Sequence, residues 1–106
     1  MPERPPLPDW GFDPAAARDY DDARDYYYGK RPDLADAFEA DFVHAVDFIR
    51  GHPEACPVAT EEGARKRLLR HFPYIVYYTI EPQEIRIWAV AHEKQRPFYW
   101  LERLKP

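Results

Sequence analysis

The stretch PYIVYYTIEPQEIRIWAVAH, residues 73–92, decides the fold of this 106-residue chain. Its first part, PYIVYYTI, is dense in the β-branched and aromatic residues that strands favour. Its last part alternates with the two-residue period of a strand, setting Ile85, Ile87, Ala89 and Ala91 against Arg86, Trp88, Val90 and His92. The residues between them, Glu81 to Glu84, include a proline and suit a hairpin loop. The stretch therefore predicts two antiparallel strands.

Strand character begins earlier in the chain, directly after Gly63. The segment ARKRLLRHF, residues 64–72, is rich in cations and leads into the hairpin. We therefore expect a meander of three consecutive antiparallel strands. Near the N-terminus, Trp10 to Phe12 suit a short edge strand, so the predicted sheet has three or four strands.

Two helices are predicted before the meander. Asp13 can cap the first free N–H groups of a helix, and Pro14 lacks the N–H that would be unpaired there. The first helix ends at Gly29 and presents one face made of Ala16, Tyr20, Ala23 and Tyr27.

The second helix has the clearest pattern in the sequence. It runs from Asp33 to Gly51, and its apolar residues recur at helical spacing: Leu34, Phe38, Phe42, Ala45, Val46 and Ile49. Only a few residues around Arg31-Pro32 join the two helices, so they form an αα-hairpin. Two prolines and a final glycine mark residues 52–63 as a loop.

These elements define an α+β fold, in which an N-terminal helical hairpin packs on a small antiparallel sheet of three to four strands. We expect residues 10–106 to form a single domain, since this length lies near the commonest domain size. Residues 1–9 have four prolines and are predicted to form a tail.

Composition excludes several classes of protein. No apolar run approaches the ~20 residues of a membrane-spanning helix, and MPERPPLPDW lacks the apolar core of a secretory signal. A cytoplasmic location is therefore expected. The single cysteine, Cys56, forms no internal disulfide, and the four histidines have no ligand-like spacing. We expect neither a metal nor a cofactor.

The net charge of -4 conceals an asymmetry along the chain. Residues 1–63 have 6 Lys and Arg against 15 Asp and Glu, a balance of -9. Residues 64–106 have 9 Lys and Arg against 4 Asp and Glu, a balance of +5. The two halves either give the surface an acidic and a basic side or neutralise each other in the folded protein.

The cations of the basic half flank the meander. Three arginines, Arg65, Arg67 and Arg70, lie on its first strand, whereas Lys94, Arg96 and Arg103 follow its last strand. If these groups meet across the open face of the sheet, they form a basic concavity beside Tyr74, Tyr78, Tyr99 and Trp100 that would suit RNA. Alternatively, the arginines pair with carboxylates and the tyrosines pack in a core.

The sequence also offers the side chains of a nuclease. RNA cleavage needs a base, cations that stabilise the phosphorane, and an acid for the leaving oxygen. His92, Lys94, Arg96 and Tyr99 supply all of these types. A lone histidine at a strand end also serves as a purely structural hydrogen-bonding group, and that interpretation stays open.

Taken in order, several segments resemble the RelE/ParE superfamily of bacterial toxins. The resemblance runs from about residue 10 to residue 104. It rests on the segments PDLADAFEADFVHAVDFIRGHPEACP, GARKRLLRHFPYIVYY and IRIWAVAHEKQRPFYW. It implies the toxin of a type II toxin–antitoxin system, often described as a plasmid stabilisation protein. A small antitoxin encoded beside the toxin would wrap around it and neutralise it.

The superfamily has two main branches, and they imply different targets. RelE-like members cut messenger RNA in the ribosome, whereas ParE-like members inhibit DNA gyrase without a nuclease site. RelE-like nucleases resemble this chain poorly at two positions: Tyr74 stands where they have an arginine, and Trp100 lies near the expected tyrosine. These departures favour the ParE-like function. A ribosome-dependent endonuclease and a weakly toxic antitoxin-binding protein are the alternatives.

The predicted site residues follow from these alternatives. The nuclease candidates are Arg65, Arg67, His92, Lys94, Arg96 and Tyr99. The target- or antitoxin-binding candidates are Arg65, Arg67, Arg70, Arg96, Tyr99, Trp100 and Arg103. In a purely structural interpretation, Tyr99 and Trp100 pin the C-terminal segment onto the sheet, and Arg96 pairs with a helix carboxylate.

Overall fold

The structure is a computed structural model that describes residues 7–105. In chain order its elements are β1 (Asp9–Phe12), α1 (Pro14–Lys30), α2 (Pro32–Gly51), β2 (Arg65–Leu68), β3 (Tyr74–Ile80), β4 (Glu84–His92) and a 3-10 turn (Leu101–Leu104). The predicted helical hairpin and meander are confirmed. Most of the predicted tail, residues 1–6, lies outside the described residues.

The sheet has four strands in the order β1-β4-β3-β2. Its β2–β3 and β3–β4 pairs are antiparallel, as predicted, but β1 lies parallel to β4. The sheet is therefore mixed. The chain passes through both helices and two strands between β1 and β4, so no hairpin turn reverses its direction.

Local signals explain where the helices begin and end. The Asp13 carboxylate accepts a hydrogen bond from the Ala15 N–H at 3.1 Å, which caps α1 as predicted. One extended residue, Arg31, separates α1 from α2. Ala16 and Ala23 are buried in α1, and their small side chains let the helices and the sheet approach closely.

A β-bulge breaks the alternation that the sequence predicted for β4. Tyr78 pairs with Ile87 but Tyr77 pairs with Ala89, so Trp88 is an extra residue. Ile85 and Ile87 consequently pack under the helices, whereas Ala89 and Ala91 belong to the core on the opposite face. The prediction that these four residues share one face is wrong.

The two faces of the sheet are covered differently. On the helix-covered face, α1 and α2 enclose a large core that includes Phe38, Phe42, Val76 and Tyr78. The opposite face is covered by residues 93–105, which we name the C-terminal strap. Its core is small and consists of Ala64, Tyr77, Ala89, Ala91 and Trp100.

Candidate functional site

The C-terminal strap contains most of the predicted binding residues. Trp100 is its main anchor, because only 1% of this residue is exposed and its ring lies 4.3 Å from that of Tyr77. The small side chains of Ala89 and Ala91 leave the space that the indole fills. The prediction that Trp100 pins the segment onto the sheet therefore describes its position correctly.

A single carboxylate on α1 fastens the other end of the strap. Asp19 accepts hydrogen bonds from both terminal nitrogens of Arg103, at 2.7 and 3.2 Å, and from the Tyr99 hydroxyl at 3.3 Å. It also accepts the Val90 N–H, while Arg103 donates to the Trp88 carbonyl. β4 thus gains two hydrogen bonds at the edge that β1 is too short to cover.

This network determines the protonation state and the orientation of the Tyr99 hydroxyl. Burial, followed by the nearby Asp19 carboxylate, raises the pKa of the Tyr99 hydroxyl to about 12. The hydroxyl therefore stays protonated at neutral pH and is oriented toward Asp19. The expected ion pair to a helix carboxylate exists, but it is made by Arg103 and not by Arg96.

The strap contains a turn formed by Arg96, Pro97, Phe98 and Tyr99, and the first three of these residues are exposed. The Tyr99 N–H donates to the Arg96 carbonyl at 3.4 Å and closes the turn. Phe98 has a φ of 57°, which L-residues with bulky side chains rarely adopt. The Arg96 side chain is exposed at the start of this turn.

The arginines of β2 lie elsewhere. Arg65 and Arg67 pair in register with Tyr78 and Val76, so their side chains point to the helix-covered face. Arg65 donates to the carbonyls of Glu54 and Cys56 at 3.1 and 2.7 Å. These contacts tie the loop after α2 to the strand.

Two further arginines complete this basic edge beside α2. The Arg67 guanidinium lies 3.7 Å from the centre of the Phe48 ring, a cation–π contact. Arg70 lies 3.2 Å from the imidazole Nε2 of His44. The prediction that Arg70 lies on this strand is wrong, because β2 ends at Leu68. We name Arg65, Arg67 and the adjacent Arg70 the β2 arginine edge.

The predicted residues therefore fall on two surfaces, the β2 arginine edge and a groove at the strap that His92, Arg96 and Tyr99 all border. β3 stands between the β2 arginine edge and β4, and Tyr78 is fully buried. The basic concavity expected on the open face is consequently wrong. The ring centres of His92 and Tyr74 lie 5.0 Å apart in an edge-to-face arrangement, and the His92 Nδ1 accepts the Lys94 N–H at 3.0 Å. Lys94 is exposed beside it.

Sequence reasoning missed two residues of this site. Asp19 was one of several acidic residues on α1, and nothing local distinguished it from its neighbours. Phe98 was visible as one of three consecutive aromatics, but the better signal was Pro97. A proline at the second position of a turn often places a residue with positive φ at the third.

Most of the chain matches a known protein family. The family model described as "ParE toxin of type II toxin-antitoxin system, parDE" matches residues 11–97, most of the chain. The protein belongs to the ParE toxin family. Its membership implies a cognate antitoxin as partner. The matched region ends at Pro97, so Phe98 and the rest of the strap lie beyond it.

A solved structure supports the same fold. The chain is similar to a structure described as "Chromosomal ParDE TA system from P. aeruginosa", with 20% sequence identity and a TM-score of 0.69. The similarity covers 81% of this chain and 96% of that one. No curated protein matches the chain in sequence.

Two features of the structure concern membrane insertion and metal binding. Between residues 7 and 105, neither helix combines the length and the apolar character required to cross a bilayer. Over the same range, no group of three or more His, Cys, Asp or Glu side chains is arranged to hold a metal ion.

Proposed function

We propose that this ParE-family toxin arrests bacterial growth by binding and inhibiting DNA gyrase, without catalysing a reaction. The observation that carries the proposal is the family match over residues 11–97. The antitoxin would neutralise the toxin by covering the surface that gyrase recognises. We place that surface on the strap, where Arg96 is one of the exposed cations.

The arrangement of the nuclease candidates supports the same proposal. General acid–base cleavage of RNA needs its base, acid and cations around one reacting phosphate. Here the Tyr99 hydroxyl is directed to Asp19, and its pKa is raised to about 12 by burial and by that carboxylate. Arg65 is bonded to backbone carbonyls two strands away from β4. These contacts indicate structural roles for Tyr99 and Arg65.

The proposal is tested with purified gyrase and relaxed plasmid DNA. We expect the toxin to inhibit supercoiling, and preincubation with its antitoxin to restore it. A parallel translation reaction with ribosomes and messenger RNA should show no cleavage. Ribosome-dependent cleavage with unaffected gyrase would overturn the proposal in favour of the RelE-like alternative.

Two substitutions separate the mechanisms further. Arg96→Ala and His92→Phe should both abolish activity if the toxin is a nuclease that uses these residues. A gyrase inhibitor should tolerate His92→Phe, because the phenylalanine ring keeps the packing of the His92 ring against Tyr74. Circular dichroism of each variant controls for folding.

A further inference from the structure

Phe98 occupies a position in its turn that favours another residue type. The turn has Pro97 in its second position and Phe98 in its third, with a φ of 57°. A positive φ at the third position is the pattern of a type II turn, where glycine or asparagine is strongly preferred. Phenylalanine pays a steric cost there because its Cβ crowds the neighbouring backbone.

The Phe98 side chain makes few close contacts within the chain that would offset this steric cost. The Phe98 ring lies 6.3 Å from the Tyr77 ring and 6.2 Å from the Trp100 ring, at the outer limit of aromatic contacts. Phe98 is 41% exposed. A strained backbone that presents a large apolar side chain to solvent is characteristic of a functional position.

Two small grooves flank this ring. One has a volume of about 180 Å³ and is bordered by Ala59 and Leu101. The other has a volume of about 200 Å³ and is bordered by Ile75 and Ala91. Both are smaller than the ~300–1,000 Å³ typical of sites for small molecules. Their size suits individual side chains of a protein partner on either side of Phe98.

The charged residues at the two grooves differ: the first groove has only acidic residues, whereas the second also has a cation. The first groove has Glu61 and Glu62 on its border. The second has Arg96, together with Glu93. Arg96 makes no side-chain hydrogen bond or ion pair with the described residues, so its charge is available to a partner. A complementary segment would place a base on the first side and an acid on the second.

We propose that Phe98 is an anchor through which this toxin binds its antitoxin. An antitoxin segment straddles the ring, places one apolar side chain in each groove, directs an acidic residue to Arg96 and directs a basic residue to Glu61 and Glu62. This proposal rests on the antitoxin as partner, which the family membership supplies. It does not depend on gyrase being the target.

The first test uses Phe98→Gly and the antitoxin encoded beside the toxin. Glycine removes the ring and adopts the positive φ without strain, so the urea midpoint of the free toxin should not fall. The dissociation constant for the antitoxin should rise about 30-fold, which corresponds to the ~2 kcal/mol of an interface hot spot. Phe98→Tyr keeps the ring and should bind like the native toxin.

Tyr28→Ala provides a matched control, because Tyr28 is a similarly exposed aromatic on α1. It should leave the affinity unchanged. Native affinity in Phe98→Gly, or an equal loss in Tyr28→Ala, would overturn the proposal. If Phe98→Gly keeps its antitoxin affinity but no longer inhibits gyrase, the anchor belongs to the target and the proposal also fails.

The second test examines the charge order. Arg96→Glu should weaken antitoxin binding about tenfold, whereas Lys94→Glu, an equal charge change two residues away, should have less than half of that effect. Lys94 is exposed but does not border the groove. Equal losses in both variants would show that general charge attraction, and not a specific contact at Phe98, governs binding.

Discussion

Two carboxylates, one on each helix, hold the two sides of this molecule in different ways. Asp41 on α2 is 5% exposed and accepts the backbone N–H groups of Arg70, His71 and Phe72 at 3.3, 2.8 and 3.1 Å. Asp19 on α1 binds mainly side chains of the strap, Arg103 and Tyr99. The Asp41 carboxylate fixes the backbone of a turn. The Asp19 carboxylate holds side chains whose hydrogen bonds can be replaced by hydrogen bonds to water.

The difference distinguishes a structural side of the molecule from an adaptable one. The turn held by Asp41 joins β2 to β3 against a core rich in aromatic rings. The strap covers a core of three alanines and two aromatic residues. We therefore expect the strap to open at a lower free-energy cost than the helix-covered face.

The largest effect is expected at Asp41. Asp41→Ala leaves three partly buried N–H groups without their acceptor, and we expect the free energy of unfolding to fall by about 3 kcal/mol. Urea denaturation measures this loss. The conservative Asp41→Asn keeps one accepting oxygen and should recover part of it. A loss below that of the corresponding Asp19 variant would contradict the comparison.

Asp19→Ala should have the next largest effect. It breaks a pair whose side chains are 15% and 20% exposed, so Arg103 can turn toward water, and we expect a loss of about 2 kcal/mol. The strap should also become sensitive to trypsin after Lys94 and Arg103 while the rest of the domain resists. Uniform digestion of the whole domain would show that the strap does not open separately.

Trp100→Phe should be better tolerated than its burial suggests. The buried Trp100 indole Nε1 has no hydrogen-bond partner among residues 7–105, so its removal also removes an unfavourable group. We expect a net loss below about 1 kcal/mol by urea denaturation, whereas truncation of a buried tryptophan to alanine costs about 3–5 kcal/mol. Trp88→Phe is the control, because the Trp88 Nε1 donates to the Thr79 hydroxyl at 2.8 Å. That variant should lose more stability than Trp100→Phe does.

The smallest effect at neutral pH is expected from Tyr99→Phe. This variant loses only the 3.3 Å bond to Asp19, worth about 0.5 kcal/mol. In alkali the effect of Tyr99→Phe on the free energy of unfolding should change sign, and the variant should become the more stable protein. The folded-state pKa of Tyr99, about 12, exceeds the ordinary 10.0, so the unfolded chain loses this proton first. The native protein therefore keeps the full contribution below pH 10 and loses it between pH 10 and about 12.

Tyrosines on both faces of the sheet contribute to the loss of stability in alkali. Burial raises the pKa of Tyr20 and Tyr74, which contact the helix-covered core, to about 12 as well. Tyr99→Phe should therefore retain a part of the alkaline loss of stability. Urea midpoints measured across this range test the expectation, and an unchanged pH dependence would remove Tyr99 from the account.

The sequence predicted those features that repeat locally. Helical spacing located α2, Asp13-Pro14 located the start of α1, and β-branched residues located β3. The bulge at Trp88 was missed because one inserted residue leaves the apolar pattern of β4 almost unchanged. The bond between Asp19 and Arg103 joins residues 84 positions apart, and periodicity carries no information on such a pair.

The site was harder to predict than the fold for the same reason. The arginines on β2 and on the strap suggested one basic surface. The direction of each arginine side chain on β2, however, depends on the strand register. Arg67 faces α2 because it pairs with Val76 in that register. The conformation of Phe98 depends on the turn that Pro97 begins, a signal only one residue long.

The proposed cellular target of the toxin is DNA gyrase. The most direct test of this target is pulse-labelled synthesis of DNA and protein in bacteria during the minutes after induction without antitoxin. Inhibition of gyrase predicts that DNA synthesis fails first while protein synthesis continues. A collapse of protein synthesis before DNA synthesis would contradict the claim and support cleavage of messenger RNA on the ribosome.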